Sequence, residues 1–108
     1  MAKSNLPPDF RTRDIMIARL LQLRPALEAD GVRHAFLFGS VARGEDVPES
    51  DVDIIVDLDP ERHVGICDFA GIREFLREEL GRDVDLGTRR SLLPGRHDEI
   101  IGDLIEAF

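Results

Sequence analysis

Two aspartates one residue apart, placed shortly after a Gly-Ser turn, are the residues with the clearest chemical potential. Residues 36–56 read Phe-Leu-Phe-Gly-Ser-Val-Ala-Arg-Gly-Glu-Asp-Val-Pro-Glu-Ser-Asp-Val-Asp-Ile-Ile-Val. An apolar run ends in Gly39-Ser40, a short turn closes at Gly44, and a polar loop with Pro48 leads to Asp51 and Asp53. If both apolar runs are strands, side chains 51 and 53 share a face, because strand side chains alternate. Two carboxylates side by side repel unless a cation lies between them. A tight Gly-Ser turn beside them can hold an anion on backbone N–H groups. Anion cradle plus carboxylate pair points to a metal-nucleotide site. A solvated strand face also carries alternating Asp, so the weight rests on the linkage to Gly39-Ser40.

The elements that must position these residues follow from periodicity. Asp9 to Leu23 has helical spacing through Ile15, Ile17, Ala18, Leu20 and Leu21. Pro25 predicts a kink or a fresh turn, Leu27 continues the apolar face, and Asp30-Gly31 stops the helix. Val32 to Phe38 is the first strand. Ser40 to Arg43 forms a short helical turn ended by Gly44. Val52 to Leu58 is the second strand, with 52, 54 and 56 facing the core and 51 and 53 facing the site. Asp59-Pro60 breaks it. Residues 64–80 form a helix with Ile66, Phe69, Ala70, Ile72, Phe75, Leu76 and Leu80 along a wide stripe, and Gly81 stops it. Asp83-Val-Asp-Leu is a short third strand, leaving Asp83 and Asp85 on one face. The tail from Arg96 to Phe108 has helical spacing. This alternation predicts an α/β (α+β) fold: a small mixed sheet covered mainly on one side by helices.

The 108 residues suit one domain spanning 1–108, with 1–8 a loose lead-in carrying Pro7-Pro8. A charged fraction of 33% against 43% hydrophobic is the balance of a folded soluble protein rather than a disordered one. The net charge of −8 argues against non-specific nucleic-acid binding, which needs clustered Lys and Arg. It leaves room for a metal-bridged nucleotide, since divalent cations reverse the local sign. Cys67 is the only cysteine, so no intrachain disulfide forms. No signal peptide or membrane-length apolar stretch is visible, and the expected location is cytoplasmic. His34, His63 and His97 lack metal-ligand spacing and read as structural or surface residues. Cys67 reads as core or helix surface, Glu45, Asp46 and Glu49 as loop solvation, and Arg89-Arg90 as a solvated loop.

Gly39-Ser40-Val-Ala-Arg43-Gly44 followed by Ser50-Asp51-Val-Asp53-Ile-Ile-Val resembles the signature of the nucleotidyltransferase superfamily that includes DNA polymerase beta. The nearest likeness is to the minimal nucleotidyltransferases of bacteria and archaea, and Val84-Asp85-Leu86 looks like their third-carboxylate strand. The resemblance runs from about Leu21 to the C-terminus. It implies that Asp51 and Asp53 bind two Mg²⁺ ions and that Asp85 is the third carboxylate, with Asp83 as its rival on the same strand face. Gly39 and Ser40 would hold the triphosphate. Arg43 would contact phosphate, brace the loop or make a surface ion pair. Ser50 would orient Asp51 or simply end the loop. Ser40 is equally suited to cap the short turn.

What the resemblance further implies is transfer of a nucleoside monophosphate, AMP from ATP, to a hydroxyl. Members of this group commonly pair with a helical HEPN-type toxin as its antitoxin, so the resemblance implies a tyrosine on that toxin as the acceptor. The chain has no Tyr, so tyrosine self-modification is impossible. Two other readings stand beside this one. One is a binding module that neutralises the toxin by occlusion. The other is an aminoglycoside-type small-molecule nucleotidyltransferase, whose acceptor domain would have to come from a homo- or hetero-oligomeric partner.

Overall fold

The structure, a computed structural model, describes residues 12–45, 51–88 and 104–108. Its elements are α1 (Thr12–Ala29), β1 (Val32–Phe38), α2 (Gly39–Arg43), β2 (Val52–Leu58), α3 (Ile66–Leu80), β3 (Val84–Thr88) and β4 (Ile105–Glu106). The strands form one mixed sheet in the order β3-β2-β1-β4. β1 runs antiparallel to both β2 and β4, and β2 runs parallel to β3 through the α3 crossover. The expected α/β class, with a small mixed sheet and helices, is what forms.

The core lies between one face of the sheet and the helices α1 and α3. Leu20 and Leu27 of α1, Leu37 of β1, Val52, Ile54 and Val56 of β2, and Leu76 of α3 are fully buried there. The alternation of β2 puts 52, 54 and 56 in this core, as periodicity required. Ile55 and Phe36, paired across β2 and β1, are also buried but lie outside this cluster. The two helices are tied by Arg19, whose Nη2 lies 2.8 Å from Glu79 Oε1.

Four details depart from the sequence reading. Among α1 side chains, Met16, Leu20, Leu23 and Leu27 are buried, while Leu21 is 47% exposed and Ala18 is exposed. The buried stripe keeps a 4-3-4 spacing, and two overlapping stripes were available to choose from. Pro25 sits inside α1, which continues as one helix to Ala29; the residue is exposed, so its ring meets solvent rather than the core. On α3, Ile66 is 90% exposed and Ala70 is exposed, so the covering face is Ile72, Leu76 and Leu80, with Phe69 and Phe75 packed at its edge.

The fourth departure is the tail. Ile105–Glu106 form a strand rather than a helix, with Phe36 opposite Glu106 and Leu37 opposite Ile105. Ala107 N–H donates to Ala35 O at 2.8 Å, and Ala35 N–H donates to Phe108 O at 3.2 Å. The edge of β1 offers the tail a hydrogen-bonding ladder, which outweighs local helical spacing. Phe108 is buried, and the Arg24 guanidinium lies 5.2 Å from its ring centroid. The expected helix over 96–103 lies outside the described residues, as does the lead-in at 1–8.

Candidate active site

The site gathers at the end of the sheet where β1 finishes and β2 and β3 begin. β1 delivers Phe38 opposite Asp53, and β3 delivers Asp85 opposite Asp53 on the other side. Asp53 is therefore the middle member of a row across three strands. Asp51 shares its side of β2, just ahead of the first strand residue.

Gly39 opens α2 directly after β1, with φ at 75°. An added Cβ there would overlap Asp53 Oδ2 and lie 3.1 Å from its Cγ. Both the left-handed backbone and the contact require glycine. The turn is thus packed on the carboxylate, which ties the two halves of the motif together in space. The expected helical turn and its terminator are present: α2 ends at Arg43, and Gly44, with φ at 74°, caps it. Ser40 is not the cap. Phe38 occupies the N-cap position without a side-chain hydrogen bond, and Ser40 lies within the helix, half-buried. Ser40 O accepts the Glu45 N–H at 2.8 Å.

Burial and the carboxylates Asp85 and Asp51 push the Asp53 carboxyl up to about 6 from an ordinary 3.8. Arg43 partly offsets this, and a side-chain hydrogen bond with Asp85 adds to the rise. Arg43 thus acts on the cluster electrostatically, while its Nε donates to Glu45 Oε1 at 2.8 Å. Glu45, expected to be loop solvation, is an ion-pair partner of the site arginine.

Register distinguishes Asp83 from Asp85. Asp85 pairs with Asp53 and helps to raise its carboxyl. Asp83 carries its carboxylate to Arg77 Nη1 on α3, at 3.5 Å. Its backbone oxygen accepts the Val52 N–H at 2.8 Å. Ser50, Asp46, Glu49 and Arg89-Arg90 lie outside the described residues. Cys67 is exposed on α3, and His34 lies on the exposed part of β1 with its ring 6.4 Å from Phe36.

Among the described residues no three His, Cys, Asp or Glu side chains are close enough to form a ready-made metal cage. The donor set nevertheless fits a hard divalent cation. Mg²⁺ takes oxygen ligands and draws on one or two carboxylates plus substrate phosphates and water. Burial raises Asp53 most, and the further rise from Asp85 and Asp51 is what a cation between the carboxylates would relieve. Asp53 and Asp85, in register across β2 and β3, would supply such a carboxylate pair, with Asp51 next along the same side of β2.

A mixed sheet with helices over one face, and a glycine turn seated on a carboxylate row, define a class of fold. Comparison with known proteins agrees. The nucleotidyltransferase domain family matches residues 17–106. A protein adenylyltransferase of Thermococcus cleftensis, MntA, is 36% identical over 91 residues, 84% of this chain and 87% of its own length. A Methanocaldococcus jannaschii protein named as a candidate protein adenylyltransferase is 41% identical over 61 residues, 56% of this chain and 61% of its own. Among solved structures, that of a candidate minimal nucleotidyltransferase superposes with a TM-score of 0.72 at 26% identity, covering 92% of this chain and 98% of that one. A Shewanella oneidensis complex of a tri-AMPylated HEPN toxin with its MNT antitoxin shares the fold, with a TM-score of 0.62 at 18% identity over 89% of this chain and 71% of that one. The chain belongs to the nucleotidyltransferase domain family, and its enzymatic class is that of a nucleotidyltransferase.

Proposed function

We propose that the protein transfers AMP from ATP to a tyrosine hydroxyl of a HEPN-type toxin in the cytoplasm, and that this transfer makes it the antitoxin of the pair. The observation that carries the reading is the packing of Gly39 on Asp53, with Asp85 in register beside it. It brings the glycine turn and the carboxylates of β2 and β3 to one sheet end, an arrangement that supports nucleotidyl transfer. Support for the acceptor comes from the 36%-identical adenylyltransferase and from the toxin complex sharing the fold.

In this reading Gly39 and Ser40 hold the triphosphate, with Arg43 adding positive charge beside it. Ser50 is assigned to the orientation of Asp51. Asp51 and Asp53 hold two Mg²⁺, and Asp85 is the third ligand. Two cations held there would supply stabilisation of the charge on both the entering and leaving oxygens. Asp85, on the outer described strand and exposed, would hold the ion that activates the attacking hydroxyl. The acceptor hydroxyl gives up its proton to solvent, its oxygen bonds the α-phosphorus as the bond to the α–β bridging oxygen breaks, and pyrophosphate leaves. No helix among the described residues is long and apolar enough to cross a membrane.

The test incubates the protein with Mg²⁺, each of the four labelled nucleoside triphosphates and the protein encoded beside it. A mass gain of one AMP per modified tyrosine is expected with ATP. Asp51→Ala and Asp53→Ala should abolish both the gain and neutralisation while the complex still forms. Neutralisation that survives both substitutions would establish occlusion instead.

A further inference from the structure

Resting on the reading above, we infer that Arg73 of α3 is a positioning residue for Asp85, acting through the backbone of β3. Arg73 Nε donates to Val84 O at 2.9 Å, a partly buried hydrogen bond spanning α3 and the strand. Val84 immediately precedes Asp85. In the parallel pairing with β2, the Asp83 carbonyl points to Val52 N–H. Alternation turns the Val84 carbonyl the other way, off the outer edge of the described sheet. Arg73 thus meets a carbonyl that the β2–β3 ladder leaves aside, with a charge-assisted bond of above-average strength.

The residues around Val84 are held from several directions. Its side chain is 2% exposed and belongs to the core. Asp83 is bonded to β2 by its backbone and faces Arg77 by its carboxylate, 3.5 Å away. Arg73 and Arg77, one helical turn apart, meet consecutive residues, Val84 at the start of β3 and Asp83 just before it. With Val84 directed inward and pinned at its carbonyl, alternation presents Asp85 on the opposite face, in register with Asp53. Loss of the Arg73 donor frees the edge to twist, and the carboxylate furthest from the sheet centre moves most.

The experiment uses the full chain and Mn²⁺ as the probe, titrated by the electron paramagnetic resonance of free ion, beside steady-state transfer of AMP. Arg73→Met keeps the aliphatic stem and removes the donors; Arg73→Lys retains one. Supporting partners of metal ligands typically contribute about 10-fold or more to affinity or rate. Arg73→Met should therefore weaken Mn²⁺ binding about 10-fold and lower kcat by about the same factor, with KM for ATP within about 2-fold, and Arg73→Lys should fall between. Mn²⁺ binding and kcat unchanged in Arg73→Met would overturn the inference while leaving the functional reading intact. Wild-type Mn²⁺ binding no tighter than that of an Asp51→Asn/Asp53→Asn protein would overturn both.

Discussion

Replacing Asp53 by Asn should make the metal-free protein more stable at neutral pH, although the same change destroys the site. The folded carboxyl titrates at about 6, above its ordinary 3.8, because it is desolvated and crowded by Asp85 and Asp51. The folded state therefore holds this proton more tightly than the unfolded chain. Its contribution is fully present below 3.8 and is lost as pH rises through about 6. At about 1.4 kcal/mol per tenfold, the displacement corresponds to about 3 kcal/mol. The side chain is partly solvated, and screening reduces the expected figure to about 1–1.5 kcal/mol. For a chain of this size that is roughly 4–8 °C in Tm. Urea and thermal unfolding between pH 4 and 7.5, with chelator present, measure it. Wild type should lose stability across this window and Asp53→Asn should gain on it, the gap closing towards pH 4. Adding Mg²⁺ should then stabilise wild type, by about 2.7 kcal/mol at a hundred times its Kd, and leave the variant unmoved. Asp53→Asn less stable than wild type at pH 7.5 without metal would refute the idea that crowded charge governs this position.

Other outcomes follow from the same geometry. Gly39→Ala should cost about 1–3 kcal/mol in denaturant unfolding, from the left-handed backbone together with displacement of Asp53, and should lower AMP transfer more than 10-fold. Asp85→Asn should abolish transfer, whereas Asp83→Asn should retain it and change stability by less than about 1 kcal/mol, because its pair with Arg77 is exposed; equal losses in the two would contradict the register argument. Leu76→Ala, at a fully buried α3 position, should cost about 2–5 kcal/mol and lower Tm steeply without altering KM for ATP in the fraction that stays folded.

The strands β1 and β2 were legible because their apolar alternation and bounding glycines are local signals. The same holds for the Gly39-Ser40 turn and its Gly44 cap. The face of β2 that carries Asp53 followed from alternation alone. Where several local solutions were equivalent, the sequence reading erred. The α1 segment offers two overlapping apolar stripes, and docking on the sheet selected Met16, Leu20, Leu23 and Leu27. β1 carries an irregularity between Val32 and His34, which lets Val32 face the core together with Ala35 and Leu37. Strict alternation would have placed Val32 on the other side.

The amino-acid order alone determined the candidates for the chemistry: a glycine turn, two aspartates locked to one strand face, and a further pair of aspartates beyond a helix. These are properties of period and spacing, set within a few residues. Tertiary structure decided which of that further pair lies against Asp53. Asp85 does so because the parallel register sets it against Asp53, while Arg77 on the crossover helix faces Asp83. It also turned the end of the tail into a strand, because the open edge of β1 supplied hydrogen-bond partners that helical spacing does not reveal. Register and edge pairing join residues distant in sequence, so they are settled only when the sheet assembles.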